Sequence, residues 1–199
     1  MPTSQITISG DVGGAPMNTN ISRTADGQIS HEVQVPAAKT GTLTTRTTDT
    51  TGTLTMQTGH GFVQNDKIDL YWTGGRRYNV VVGTVAGDSV PISGGSGDIL
   101  PAQGTAVTAM KQVTIDTDFD GAKLEIIGAN CAARGRIGFF EATVEEVSVD
   151  LAANEAWLWW KGGSGANPLA STVVSSMGVT QAGTTTATFK LGLLYDSTP

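Results

Sequence analysis

LTTRTTDTTGTLTMQTGHGF, residues 43–62, sets threonine at nearly every second position and closes on His-Gly-Phe. Threonine is β-branched, which favours extended backbone, and its hydroxyl tolerates water. The stretch therefore reads as strand with one wet face, and Leu43, Leu54 and Met56 supply the apolar partners on the other. Working outward, further strands are expected at 67–72, 78–85, 89–92 and 105–110, separated by Gly74-Gly75, Gly87-Asp88 and GGSGD at 94–98. Short strands joined by tight turns through residues 43–110 predict a small closed β-barrel.

The rest of the chain alternates in the same way. Residues 5–12, QITISGDV, place Ile6, Ile8 and Val12 at period two, and 20–23 and 29–35 continue the pattern until Pro36 ends it. Asp26-Gly27 between the latter two is a hairpin signal. From Gln112 strands resume in VTI, AKLEII, RIGFF, TVEEVSVDL, EAWLWW and TTTATFKLGLLY. The predicted fold is all-β: an antiparallel β-sandwich from residues 1–42 and 111–199, with the small β-barrel of 43–110 inserted into it.

Within the barrel segment, Thr53 and Thr55 lead to His60-Gly61, then to Asn65-Asp66 and the apolar positions Ile68 and Leu70. This order resembles the small β-barrel modules of tailed-bacteriophage virion structural proteins: a Thr-rich strand, His-Gly, Gly-Asp and an apolar strand. Asn65 stands where that pattern has Gly, and Asn shares glycine's tolerance of left-handed backbone. The resemblance covers about a third of the chain. It implies a structural protein of the capsid or tail that assembles with its own copies and with other phage proteins, in a virion made in the host cytoplasm. It names no activity and no cofactor.

Composition narrows the function classes. The net charge of −6 and the pI near 4.7 offer no basic surface for phosphates, so a nucleic-acid partner is not expected. Arg76-Arg77 and Arg134-Gly135-Arg136 are the locally basic points and read as solvated turns or subunit salt links. Cys131 is the sole cysteine, so no intrachain disulfide is expected, and its alanine neighbours read it as a small buried residue. The first residues lack the basic start and apolar core of a secretory signal, and no apolar run approaches the roughly 18 residues of a membrane span.

Four places invite a chemical reading. DTDFDG sets Asp116, Asp118 and Asp120 at positions one, three and five and Gly121 at six, the start of a calcium loop. Position twelve is Ile127 rather than the bidentate Glu, so the reading is a metal-free hairpin turn with positive φ at Asp120-Gly121, and calcium is the alternative. His31 and His60 are the two histidines, and His60 reads as an imidazole bonded to the backbone of its own turn. The GGSG stretches at 94–97 and 162–165 lack the following Lys-Ser or Lys-Thr of a phosphate cradle and read as flexible loops.

The fourth place is AWLWW, residues 156–160, where alternation turns Trp157 and Trp159 to one face and Leu158 and Trp160 to the other. One face fills a core. The other then needs a partner surface, because large apolar groups in pairs are seldom left in water.

These observations lead to a non-enzymatic capsid decoration (cement) protein that docks on the particle and self-associates, with a tail-tube or other tail subunit as the alternative. A reading from another class is a carbohydrate-binding module using Trp157 or Trp159 with Asn154 and Glu155. A glycan-cleaving enzyme would need two facing carboxylates, and the adjacent Glu145 and Glu146 point to opposite strand faces.

Overall fold

Polar and apolar residues alternate along almost the whole chain, and the computed structural model, which describes residues 3–12 and 15–196, turns that alternation into antiparallel sheet. β1 (Thr3–Val12) and β2 (Ala15–Thr24) form a two-stranded sheet of their own, in register from Thr3 opposite Thr24 to Val12 opposite Ala15. β3 (Gly27–Val35) then runs along the edge of a separate sheet. Asp26-Gly27 therefore closes no hairpin, because β2 pairs with β1 while β3 pairs with the last strand of the chain. Gly27 serves a different need: a Cβ there would lie 2.3 Å from the ring of Tyr195.

Next comes the barrel, made of β4 (Lys39–Arg46), β5 (Gly52–Met56), β6 (Lys67–Trp72), β7 (Gly75–Val82), β8 (Ser89–Ser93), the short β9 (Ser96–Gly97) and β10 (Ala106–Lys111). Neighbours run β6, β10, β4, β5, β8, β7, and β7 returns to β6, so six strands close on themselves and leave no open edge among them. Leu43, Leu54, Ile68, Leu70, Val80 and Val90 are fully buried inside. The threonines of the quoted stretch form the outer wall: Thr55 Oγ1 donates to Thr44 Oγ1 at 3.2 Å, and Thr44 Oγ1 to the Thr53 carbonyl at 3.1 Å.

His60 is buried beside Phe62. Its Nδ1 accepts the Phe62 N–H at 2.9 Å, which leaves the ring proton on Nε2 to donate to the Gly87 carbonyl at 3.1 Å. The imidazole thus ties its own turn to the β7–β8 turn. Asn65 adopts φ 71°, the left-handed backbone that the turn before β6 requires.

The chain then builds the sandwich from β11 (Val113–Asp120), β12 (Leu124–Cys131), β13 (Gly135–Glu141), β14 (Val144–Leu151), β15 (Ala156–Trp160), β16 (Val173–Gln181) and β17 (Ala187–Tyr195). One sheet runs β11, β16, β13, β14, and the other β15, β12, β17, β3. Between them lies a core that includes Ile127, Cys131, Ile137, Phe139, Val179 and Phe189. The protein is an all-β sandwich with an inserted barrel. Among the described residues, no helix is long and apolar enough to cross a membrane.

Two glutamines secure the junctions between the bodies. Gln181 is fully buried, its Nε2 donates to the carbonyls of Pro36 at 2.7 Å and Thr185 at 2.8 Å, and its Oε1 accepts the Gly183 N–H. Gln112 fills the space over Gly178, where a Cβ would come within 1.5 Å of its amide nitrogen, and its backbone N–H donates to the Lys67 carbonyl at 2.9 Å. The connections at 36–38 and at 112, into and out of the barrel, are therefore each tied by hydrogen bonds at these glutamines.

Candidate functional site

The aromatic strand β15 lies at a sheet edge, paired on one side with β12, with Trp159 opposite Ile127 and Trp160 opposite Ile126. Trp157 and Trp159 lean on the sandwich core, and the Phe139 and Trp157 rings sit 6.2 Å apart. The Trp159 indole N–H donates to the Gly165 carbonyl at 3.0 Å. Leu158 and Trp160 turn to the outer face and cover Ile126 together with Ala25 and Leu194. All four side chains of 157–160 keep part of their surface exposed.

Both Gly-rich stretches are held rather than free. Residues 161–168 fold back on the tryptophans: Gly163 sits against the Trp160 ring, and Asn167 donates to the Gly121 carbonyl at 2.7 Å while accepting the Leu169 N–H at 2.9 Å. Residues 94–98 wrap a buried guanidinium. Arg77 donates to the carbonyls of Gly94 at 2.6 Å, Gly95 at 2.8 Å and Asp98 at 2.7 Å. Gly94, Gly95 and Gly97 take φ of 72°, 76° and 107° to aim those oxygens inward, which a side-chain-bearing residue resists. Arg77 is thus a structural plug, not a solvated turn.

DTDFDG also differs from expectation. Asp116, Asp118 and Asp120 lie within strand β11, and the segment joins two different sheets, since β11 pairs with β16 and β12 with β15 and β17. Asp116 and Asp118 are exposed while Thr117 and Phe119 between them are buried, so a strand alternation replaces the turn. Gly121 has no positive φ; it is there because a Cβ would meet the Leu169 carbonyl at 2.1 Å. Asp120 caps the short 3₁₀ turn Gly121–Lys123 by accepting the Ala122 N–H at 2.9 Å. Among the described residues no three His, Cys, Asp or Glu side chains converge as a metal site.

The densest polar chemistry lies at the seam where barrel strands β6 and β7 meet the outer face of the sheet containing β13 and β16. Asp69 of β6 is fully buried, with Oδ2 3.1 Å from Arg136 Nη1 and 2.9 Å from Thr180 Oγ1. Its Oδ1 accepts the Asn79 N–H at 3.0 Å. Arg136 also pairs with Glu145 and lies 3.8 Å from the centroid of the Tyr78 ring, while Glu145 accepts the Asn79 amide at 2.8 Å. Burial pushes the Asp69 carboxyl above the ordinary carboxylate range, and the Arg136 charge and the Asn79 and Thr180 donors pull the other way.

Gly138 and Gly178 keep this face flat enough for the contact. A Cβ on Gly138 would lie 2.4 Å from the Glu145 carboxylate. The sequence reading missed the seam because it placed Arg136 in a solvated turn or a subunit salt link. The available signal was the pairing of Arg136 with in-strand glycines, since glycine inside a strand marks close approach of another body.

Comparison with known proteins finds no matching family model, no matching curated protein and no matching solved structure.

At one end of the seam the two bodies enclose a cleft of about 270 Å³. The barrel contributes Tyr71, Arg76, Thr108 and Met110, and the sandwich contributes Arg134, Gly135 and Asp150. Each basic pair thus divides its work: Arg77 and Arg136 are buried, while Arg76 and Arg134 remain exposed and face this cleft.

Proposed function

We propose that the chain is a non-enzymatic structural subunit of a tailed-phage virion, acting as a capsid decoration protein that docks on the particle and associates with its own copies. The observation that carries this reading is the outer face of β15, where Leu158 and Trp160 stand side by side, only partly buried, on a strand whose second edge is unpaired among the described residues. An unpaired edge with large apolar side chains is a template for another chain, and tryptophan is a frequent interface anchor. The closed barrel with its Thr-rich wall and His60-Gly61 turn supports the phage-module resemblance.

The sugar-platform alternative on Trp157 and Trp159 is less well supported, because both rings lean on the core and the Trp159 N–H is already engaged. The test is incorporation of Leu158→Asp and Trp160→Ala variants into purified particles, with solution oligomer size measured alongside. Selective loss of incorporation by soluble, folded variants supports docking through this face. Full incorporation by both refutes it.

A further inference from the structure

The seam cleft has a composition that the rest of the chain does not prepare for. In a protein of net charge −6 it gathers two guanidinium groups and one carboxylate, Arg76, Arg134 and Asp150. Among the described residues neither guanidinium has a carboxylate within ion-pair distance, Asp150 included. Arg76 is instead placed over the Tyr78 ring, 5.6 Å from its centroid, which orients the fork without neutralising it. Among the described residues the Arg134 guanidinium has no hydrogen-bond or ion-pair partner, and it enters from the opposite body.

Three features restrict what fits. Two positive charges against one negative leave a surplus of one, which matches a single carboxylate and is poorly matched to a doubly charged phosphate. Thr108 and Asp150 add a hydroxyl and a carboxylate of the kind that pairs with ligand hydroxyls, and Met110 with the Tyr71 ring adds an apolar wall. The volume of about 270 Å³ lies just below the roughly 300–1,000 Å³ of pockets for drug-sized molecules, so the occupant is smaller than these.

We propose that the cleft between barrel and sandwich is a binding site for a small hydroxylated monocarboxylate of the sugar-acid class, with Arg76 and Arg134 holding the carboxylate from the two sides and Asp150 accepting from a hydroxyl. The site does not depend on the virion reading, since it involves none of residues 156–160. The fixed junctions preorganise it: the two walls belong to different bodies, and the Asp69–Arg136 pair behind them keeps those bodies in register.

The experiment titrates sodium glucuronate into the full chain, followed by calorimetry and by side-chain NMR of the arginines. Glucose and a short Glu-containing peptide serve as comparison ligands. We expect saturable glucuronate binding that shifts the Arg76 and Arg134 signals, with glucose at least about tenfold weaker because it leaves both charges unanswered. Arg134→Ala and Arg76→Ala should each lower affinity about tenfold or more, while Lys190→Ala, on the outer face of β17, should leave it unchanged. Arg134→Gln and Arg76→Gln stand in for any alanine variant that melts early. Absence of saturable glucuronate binding overturns the proposal. So do equal binding of glucose, indifference to both arginine substitutions, and preference of the cleft for the acidic peptide over glucuronate.

Discussion

Asp69 in the barrel and Arg136 in the sandwich face each other across the seam, Oδ2 to Nη1 at 3.1 Å, with side-chain exposures of 0% and 3%. Breaking a pair this deep leaves a charge with no water to receive it. Arg136→Ala should therefore cost about 3–5 kcal/mol in urea unfolding, and Asp69→Ala a similar amount. The double variant should cost less than the sum of the two, because each single change already loses the shared contact.

Acid should act on this pair in a particular direction. Asp69 has a folded-state pKa above the ordinary aspartate value of 3.8, chiefly through burial, so the folded chain binds a proton there more tightly than the unfolded chain. Its contribution favours the folded state fully below 3.8 and fades as pH rises through the raised value. Melting temperatures of wild type and Asp69→Asn, compared from neutral to mildly acidic pH, should show wild type gaining on the variant as pH falls. A constant difference would show that Asp69 titrates alike in both states.

Gly27 and Tyr195 offer a packing test. A methyl at Gly27 enters the space of the Tyr195 ring, so Gly27→Ala should destabilise by about 1–3 kcal/mol as overpacking. Adding Tyr195→Ala should restore part of that loss, read as a positive coupling in a double-mutant cycle.

Arg77 gives a kinetic test. With its guanidinium inside residues 94–98, the wild-type loop should resist proteases despite its glycines. Arg77→Met should open cleavage at 94–98 before any other site, because three inward carbonyls lose their donor. Mass spectrometry of the first fragments decides the matter.

Trp157 and Trp160 should separate by energy. Trp157→Ala removes a ring that packs on Phe139 and should cost about 2–4 kcal/mol, at or below the range for a fully buried ring. Trp160→Ala uncovers the small outer cluster and should cost less.

Much of the fold was legible because period-two alternation is a backbone property. Leu43, Leu54 and Met56 against their threonines announced a barrel wall, and Trp157 through Trp160 divided between two faces as strand geometry requires. What escaped was pairing at a distance. Asp26-Gly27 and Asp120-Gly121 carry the composition of hairpin turns, yet both glycines are demanded by atoms far along the chain, the Tyr195 ring and the Leu169 carbonyl. Arg77 and Arg136 were read as solvated turns or subunit salt links for the same reason. Their carbonyl and carboxylate partners come from other strands and loops, and the only local trace of that meeting is the in-strand glycine beside Arg136.

The fixed junctions also bear on how such a chain could diversify. Lys39 and Ala109 are direct partners where β4 and β10 leave the barrel, so the excursion from the sandwich departs and returns through neighbouring strands. Adjacent ends let an entire body be exchanged while the host sandwich keeps its connectivity, since closing a short gap costs little chain entropy. A replacement body would inherit Gln112 and Gln181 as ready anchors, and would have to bring its own acid to meet Arg136. The barrel is in that sense a cartridge, and the buried arginine is the key that selects which cartridges seat.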